Sequence, residues 1–491
     1  MPETRGTQRL PESRPLMTGD VAERIDRLPV TPTQRRATIA VGLGLFFEFY
    51  EVFLTGVLSS VLVGEFGLTK AELPLVLAST FIGMFIGALV LGRLADRLGR
   101  RGAFLLNLAV YSVFSLLGAF SMNAAWLVVT RFLAGVGLGA ELPLADTYLT
   151  DLLPARRRGK YIACAYTIGF IGVPVVGFVA HSLTATTWIG IEGWRWMFVI
   201  GGVGGFIVLL LQRGLPESPR WLESVGRTKE ADRIVSRLEA EAGGSAEPPL
   251  AVTEIATAEA PMPARASSPR RTGVRALLVP PYNKRTAMML VFHVFQTIGY
   301  YGFGTMVPLV LAAKGYPVSE SLLFTGLTFL GYPIGSALSL PLVERFERKY
   351  LVVAAGLAMA VFGVAFGFSN TMVLILVFGF LYTAVSNVFS NAYHIYQAEI
   401  FPTHLRSTAS SGTYALSRLV TAAMPFVLVP VLAGAGVGAL FAIVCAAMVV
   451  VAVDVTALGP RTTGLRRGRG RIDRLHVVCS PRDRTETWDR R

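Results

Sequence analysis

The sequence predicts an all-α membrane protein with twelve transmembrane helices in two parallel-repeat six-helix bundles. Three observations predict it. Hydrophobic residues make up 53% of the 491 and charged residues only 16%, against about 25% charged in an ordinary soluble domain, and twelve segments approach the roughly 20 apolar residues that cross a bilayer. Of the 46 Lys and Arg, 41 fall on alternate connections, all on one side. The charged connections of the first half recur in the second after 248 residues. This composition excludes a soluble enzyme, a disordered chain and a secreted disulfide scaffold.

Residues 1–37 are polar and rich in Arg and Pro, with no cleavable secretory signal. Six apolar spans follow at about 38–63, 74–94, 102–121, 125–147, 160–183 and 195–212. Residues 213–286 form a central loop: Pro216 to Leu222, an amphipathic stretch at about 227–242, then an Ala/Pro/Ser/Glu-rich linker with a disordered composition. Six more spans lie at about 287–312, 321–341, 350–368, 371–395, 409–433 and 437–458, before a basic tail, 459–491. The expected units are therefore an N-terminal segment (1–37), a bundle (38–212), a linker (213–286), a second bundle (287–458) and the tail. Cys164 and Cys445 sit in apolar stretches and Cys479 in the tail, which gives no disulfide or metal framework.

The net charge of +14 could signal nucleic acid. Its placement gives another reason. Outside the 41 one-sided residues stand only Lys70, Arg195 and Lys314, with Arg131 and Arg418 inside spans. The positive-inside bias then puts both termini in the cytoplasm of a plasma-membrane protein, and no nucleic-acid partner is expected.

The repeat is gap-free. Asp96-Arg97-Leu98-Gly99-Arg100-Arg101 after span 2 corresponds to Glu344-Arg345-Phe346-Glu347-Arg348-Lys349 after span 8. Asp151, Pro154 and Arg158 correspond to Glu399, Pro402 and Arg406, and Gly83 and Gly87 to Gly331 and Gly335. Six spans return the chain to its starting side, so the repeats are parallel, one of the transporter architectures.

Charges inside spans are the functional candidates, because they are costly there. Glu48 and Glu51 lie three residues apart in span 1, on one helical face. They form a candidate proton carrier, or else an ion pair with Arg131 that only holds helices together. Arg131 and Glu141 in span 4 are candidates for coupling or substrate binding. Asp146 and Asp151 lie nearer the cytoplasmic end, Asp151 beside the loop charges. In the second half, Gln296 and Tyr300 share a face of span 7. Asn387, Asn391 and His394 share a face of span 10, and Tyr414, Ser417, Arg418 and Thr421 a face of span 11. Such faces line a wet cavity or supply interhelical hydrogen bonds. A buried Arg418 requires an anion and suits a carboxylate. The ordinary titration range of His394 is near neutral. Asp96, Arg97, Arg100, Arg101, Asp151 and Arg158, with Glu344, Arg345, Arg348, Glu399 and Arg406, form a candidate cytoplasmic gate whose pairs break when that side opens, or simply anchor the topology.

Gly92 to Arg101 resembles the signature of the major facilitator superfamily between spans 2 and 3. Arg131-x-x-x-Gly135-x-Gly137-x-Gly139 resembles the span 4 motif of its proton-coupled members. Pro216 to Leu222 and Tyr148-x-x-Asp151-x-x-Pro154-x-x-x-Arg158-Gly159 are similar to the sugar-porter branch. Gly139 to Pro143 and Phe295 to Tyr301 look like nicotinate-type metabolite–proton symporters. Phe47-Glu48-Phe49-Tyr50-Glu51 resembles the paired-acid motif of aromatic acid–proton symporters, with Glu in place of Asp. The resemblance covers residues 24–458. The second half departs from it with Leu340 in place of Gly92 and Glu347 in place of Gly99, and span 7 lacks the double Gln of sugar porters, which weighs against a hexose.

The resemblance implies the major facilitator fold, alternating access, and a midplane site lined by spans 1, 4, 7, 10 and 11. The expected function is proton-coupled symport of a small organic anion, an aromatic or heterocyclic carboxylate. The alternatives are sugar or polyol uptake, drug efflux, or a non-transporting sensor on the same scaffold. No Walker A run, zinc spacing or nucleophile elbow is present, so neither an enzyme nor a cofactor is expected and the proton gradient is the energy source. The expected partners are the lipid bilayer, protons and one small anionic substrate, and the expected state is a monomer.

Overall fold

The computed structural model describes residues 20–243, 277–280, 282–401 and 403–461. Ten helical segments, from Pro32–Val57 to Met372–Gln397, are each long and apolar enough for one crossing. An eleventh, Gly412–Leu458, has 47 residues, about 70 Å of helix, more than twice the ~30 Å hydrocarbon thickness. It breaks at Gly436, where φ is 80°, a left-handed conformation that glycine adopts without strain. It therefore supplies the end of span 11 and all of span 12, so the described residues hold twelve spans.

Four spans bend at a fixed kind of place. The second segments of spans 4, 5 and 8 begin at Glu141, Gly172 and Gly331, with Pro143, Pro174 and Pro333 in their first turns. Span 11 resumes at Pro425 after Met424. Proline lacks an N–H, and the first turn of a helix is where that donor is not missed.

The two halves repeat at the level of single contacts. A Cβ on Gly83 would lie 2.0 Å from the Phe132 carbonyl oxygen, and one on Gly331 would lie 2.4 Å from that of Phe380. Gly87 meets Val136 and Gly335 meets Ala384 in the same way. Both partners of each contact shift by the same 248 residues. The backbones touch, so only glycine fits. Two further contacts changed chemistry. Gly135 abuts the Thr80 carbonyl, whereas its counterpart Thr383 donates its hydroxyl to the Thr328 carbonyl at 2.6 Å. Gly139 abuts the Met84 carbonyl, whereas its counterpart Asn387 donates its amide to the Tyr332 carbonyl at 2.5 Å.

The halves meet tightly on the face away from the chain termini. A Cβ on Gly177 of span 5 would lie 2.6 Å from the Gly326 Cα of span 8, and one on Gly56 of span 1 would lie 3.2 Å from the Thr305 Cα of span 7. His181 hydrogen-bonds the Ser319 carbonyl there at 2.8 Å. Below this seal, Phe53 packs on Phe329 and Tyr332, and Phe170 stacks on Tyr332. Large apolar side chains such as Phe206, Leu210, Val361 and Val373 stay exposed on the outer surfaces of the spans, as expected where lipid replaces water.

A small helical cap covers the terminal face of the first half. Val21–Asp26 packs on Pro219–Ser224 and Thr228–Glu241 through a separate cluster of Val21, Ile25, Trp221, Leu222, Ala231 and Val235. Arg24 donates to Glu239 at 2.9 Å and also pairs with Asp232. The hydrogen bond to Glu239 leads the interactions that hold the guanidinium proton above its ordinary range. The amphipathic stretch expected at 227–242 is the helix Thr228–Glu241. The following linker, 244–276, and the tail beyond Arg461 lie outside the described residues.

Candidate functional site

A cavity of about 670 Å³ lies between the halves and reaches the terminal face past Gly92, Arg93, Asp96 and Arg100. Its first-half wall includes Phe49 of span 1, Asp146 of span 4, and Tyr166 and Phe170 of span 5. Its second-half wall includes Tyr300 and Tyr301 of span 7, Asn391, His394 and Gln397 of span 10, and Tyr414 of span 11. The far end is the aromatic and glycine seal described above, so the halves are parted on the terminal side only.

Arg418 sits behind the tyrosine wall and is 1% exposed. It donates to the Tyr301 hydroxyl at 3.0 Å and to that of Tyr414, and its guanidinium lies 5.2 Å and 4.7 Å from those two rings. Among the described residues no carboxylate lies within ion-pair distance of it, and its Nε has no hydrogen-bond partner. Gln296 and Thr297 bond Ser417 at 3.3 Å and 2.9 Å, fixing span 11 to span 7 next to Arg418. Gln296 is buried and is not among the residues that line the cavity.

The span 10 face divides by depth. Asn387 is buried: its amide serves Tyr332 and its oxygen accepts from Tyr300 at 3.4 Å, so it orients a cavity tyrosine and does not itself line the cavity. Asn391 lines the cavity and donates to Ser339 at 2.7 Å. His394 lines it too, stacked on Tyr393 at 4.3 Å. Gln397, which the sequence reading did not single out, joins His293 at 3.1 Å and Thr413 at 2.9 Å.

The four buried charges in the described first-half spans fall into two groups. Glu51 pairs with Arg131 at 2.7 Å, accepts a bond from Ser115, and packs so closely on Gly201 that any Cβ there would clash with its carboxylate. The Arg131 guanidinium also lies 5.1 Å from the Phe198 ring centroid. Glu48 and Glu141 form the second group. Both are fully buried, and none of their four oxygens has a partner among the described residues. They act on one another electrostatically, and Glu48 also interacts with Arg418 and Asp146.

The loop charges pair within their own halves. Arg100 bonds Asp96 at 2.7 Å, and Ser218 donates to Asp151 at 2.7 Å. Arg158 lies 3.8 Å from Asp26, and Arg348 lies 3.8 Å from Glu399. Glu217 accepts the backbone N–H groups of Arg100 and Arg101 at 2.8 and 3.0 Å, next to Gly99, whose φ is 87°. The Arg101 side chain reaches the Arg213 carbonyl. Arg97, Glu344 and Arg345 make no ion pair among the described residues, and the Arg406 side chain lies outside them. No ion pair joins the two halves among the described residues.

Tyr166, Tyr301, Arg93 and Glu217 are not among the residues that spacing or motif picks out as functional. Tyr166 is within reach of the repeat, because it precedes Tyr414 by the repeat shift. Asp146 stands out in the sequence only as a charge inside a span, with no motif to give it a role.

The sequence profile of the Major Facilitator Superfamily matches residues 41–411. The chain is 33% identical over 406 residues to a putative metabolite transport protein, YyaJ, of Bacillus subtilis (strain 168), covering 81% of this chain and 86% of the relative. It is 28% identical to the niacin transporter NiaP of Acinetobacter baylyi, covering 91% and 98%. It is 27% identical to the 4-hydroxybenzoate transporter PcaK of the same organism, covering 81% and 85%. Among solved structures, a partially occluded inward-open form of the xylose transporter XylE from E. coli superposes with a TM-score of 0.71 at 20% identity, covering 87% of this chain and 98% of that one.

Proposed function

Because the chain belongs to the major facilitator superfamily of membrane transporters, we propose that it is a proton-coupled symporter of a small organic anion, an aromatic or heterocyclic carboxylate. The observation that carries this reading is Arg418: a permanent cation, buried behind the cavity's tyrosines, held by two phenols and, among the described residues, by no carboxylate. A buried guanidinium without an anion is costly, and a carboxylate entering the cavity removes that cost with charge-assisted bonds. The cavity volume falls in the range of small-molecule sites, and its aromatic walls suit a ring. The names of two relatives, a niacin and a 4-hydroxybenzoate transporter, both refer to aromatic carboxylic acids.

Protons ride on Glu48 and Glu141. Both side chains are fully buried and their oxygens have no partner among the described residues, so neither is committed to an ion pair or a hydrogen bond that would stop it taking up a proton. Glu48 interacts electrostatically with Arg418, so an anion at Arg418 and a proton on Glu48 favour one another. The terminal face is cytoplasmic, given the basic residues on its connections, and the form described here is open to that side. The protein acts as a monomer in the plasma membrane. The test is uptake into proteoliposomes with an imposed pH gradient across a panel of carboxylates and sugars. Accumulation of a carboxylate that collapses with the gradient supports the reading. Accumulation of sugars alone overturns it.

A further inference from the structure

We propose, resting on the anion reading above, that Asp146 is the second pole of the binding site and that the transported acid carries a hydrogen-bond donor or a cationic group opposite its carboxylate. Asp146 lies within span 4, lines the cavity and makes no ion pair among the described residues. Tyr166 of span 5 lines the same wall of the cavity. An acid at this depth without a cation faces either water or a ligand that matches it.

The repeat shows what is unusual about this acid. Shifted by 248 residues, Asp146 becomes His394 and Tyr166 becomes Tyr414. Both pairs line the same cavity from opposite halves. On the second-half wall the tyrosine bonds a cation, Arg418, and on the first-half wall it shares the lining with an acid, Asp146. The site is therefore dipolar. Glu48 interacts electrostatically with both poles but is fully buried and does not line the cavity, so it does not compete for the ligand. A plain carboxylate satisfies Arg418 and leaves Asp146 an unmatched like charge. An acid bearing an amine or hydroxyl at its far end satisfies both with charge-assisted bonds, its ring held between Phe49, Phe170 and Tyr301.

The test measures equilibrium binding of four acids to the purified full-length protein by calorimetry: 4-(aminomethyl)benzoate, 4-hydroxybenzoate, 4-methoxybenzoate and benzoate. The wild-type protein is expected to bind the first two about tenfold or more tighter than the last two, the range for a hydrogen bond to a charged group. Asp146→Asn keeps the size and removes the charge. It is expected to erase the preference for 4-(aminomethyl)benzoate without weakening the binding of 4-methoxybenzoate. Asp146→Ala is expected to erase the preference for both donor-bearing acids. An unchanged ratio in the Asn variant overturns the proposal, as does an equal loss of all four acids in a folded variant. If the acids bind wild type but show no donor preference, this proposal alone fails. If none of them binds, the anion reading fails with it.

Discussion

Glu51 and Arg131 form an ion pair at 2.7 Å in which neither side chain is more than 1% exposed. Removing one partner leaves the other as a buried lone charge, at a cost of about 3–5 kcal/mol, whereas removing both is far milder. Glu51→Ala and Arg131→Leu should each depress the melting temperature in detergent strongly, and the double variant should recover most of the loss. Additive losses would show that the pair is not coupled.

Among the described residues Glu48 has no partner of this kind, so its substitution should spare the fold. Glu48→Gln is isosteric and permanently neutral. It should abolish accumulation driven by a pH gradient while retaining exchange of substrate across the membrane, both read in the same proteoliposomes. Undiminished accumulation would remove Glu48 from the coupling.

The backbone contacts at Gly83 and Gly331 leave no room for a methyl group. Overpacking costs about 1–3 kcal/mol. Gly83→Ala and Gly331→Ala should lower the melting temperature by comparable amounts, because they occupy equivalent places. Gly92→Ala, where nothing lies within 4 Å, should not. A loss at only one of the two repeat sites would contradict the equivalence of the halves.

Arg24 fastens the cap through Glu239 and Asp232. Arg24→Ala should cost about 1–3 kcal/mol locally, seen as faster hydrogen exchange over 219–241 with the spans unaffected. Unchanged exchange would mean that the apolar cluster around Trp221 holds the cap alone.

The bundle architecture was legible because its determinants are local or periodic: apolar length, one-sided basic residues, and glycines at backbone crossings that recur after 248 residues. Partnerships were less legible. Glu48 and Glu51 share a broad helical face, yet three residues leave them about 60° apart. That angle aims Glu51 at Ser115 and Arg131 and leaves Glu48 beside Glu141. Asn387 reads as a cavity residue from its spacing, yet it replaces Gly139 at a backbone crossing and spends its amide on Tyr332. The helix Val21–Asp26 is too short to show periodicity, and its packing partners lie about 200 residues away.

In the proposed function, Arg418 receives the substrate's carboxylate. The most direct measurement is competition by paired acids and amides, nicotinate against nicotinamide and 4-hydroxybenzoate against its amide, for uptake of a transported acid by wild type and by Arg418→Ala. The account predicts that in wild type only the acids compete, and that Arg418→Ala loses about tenfold or more of the acid affinity, the scale of a charged hydrogen bond. Amides that compete as well as acids, or an Arg418→Ala variant that keeps wild-type affinity, would contradict it.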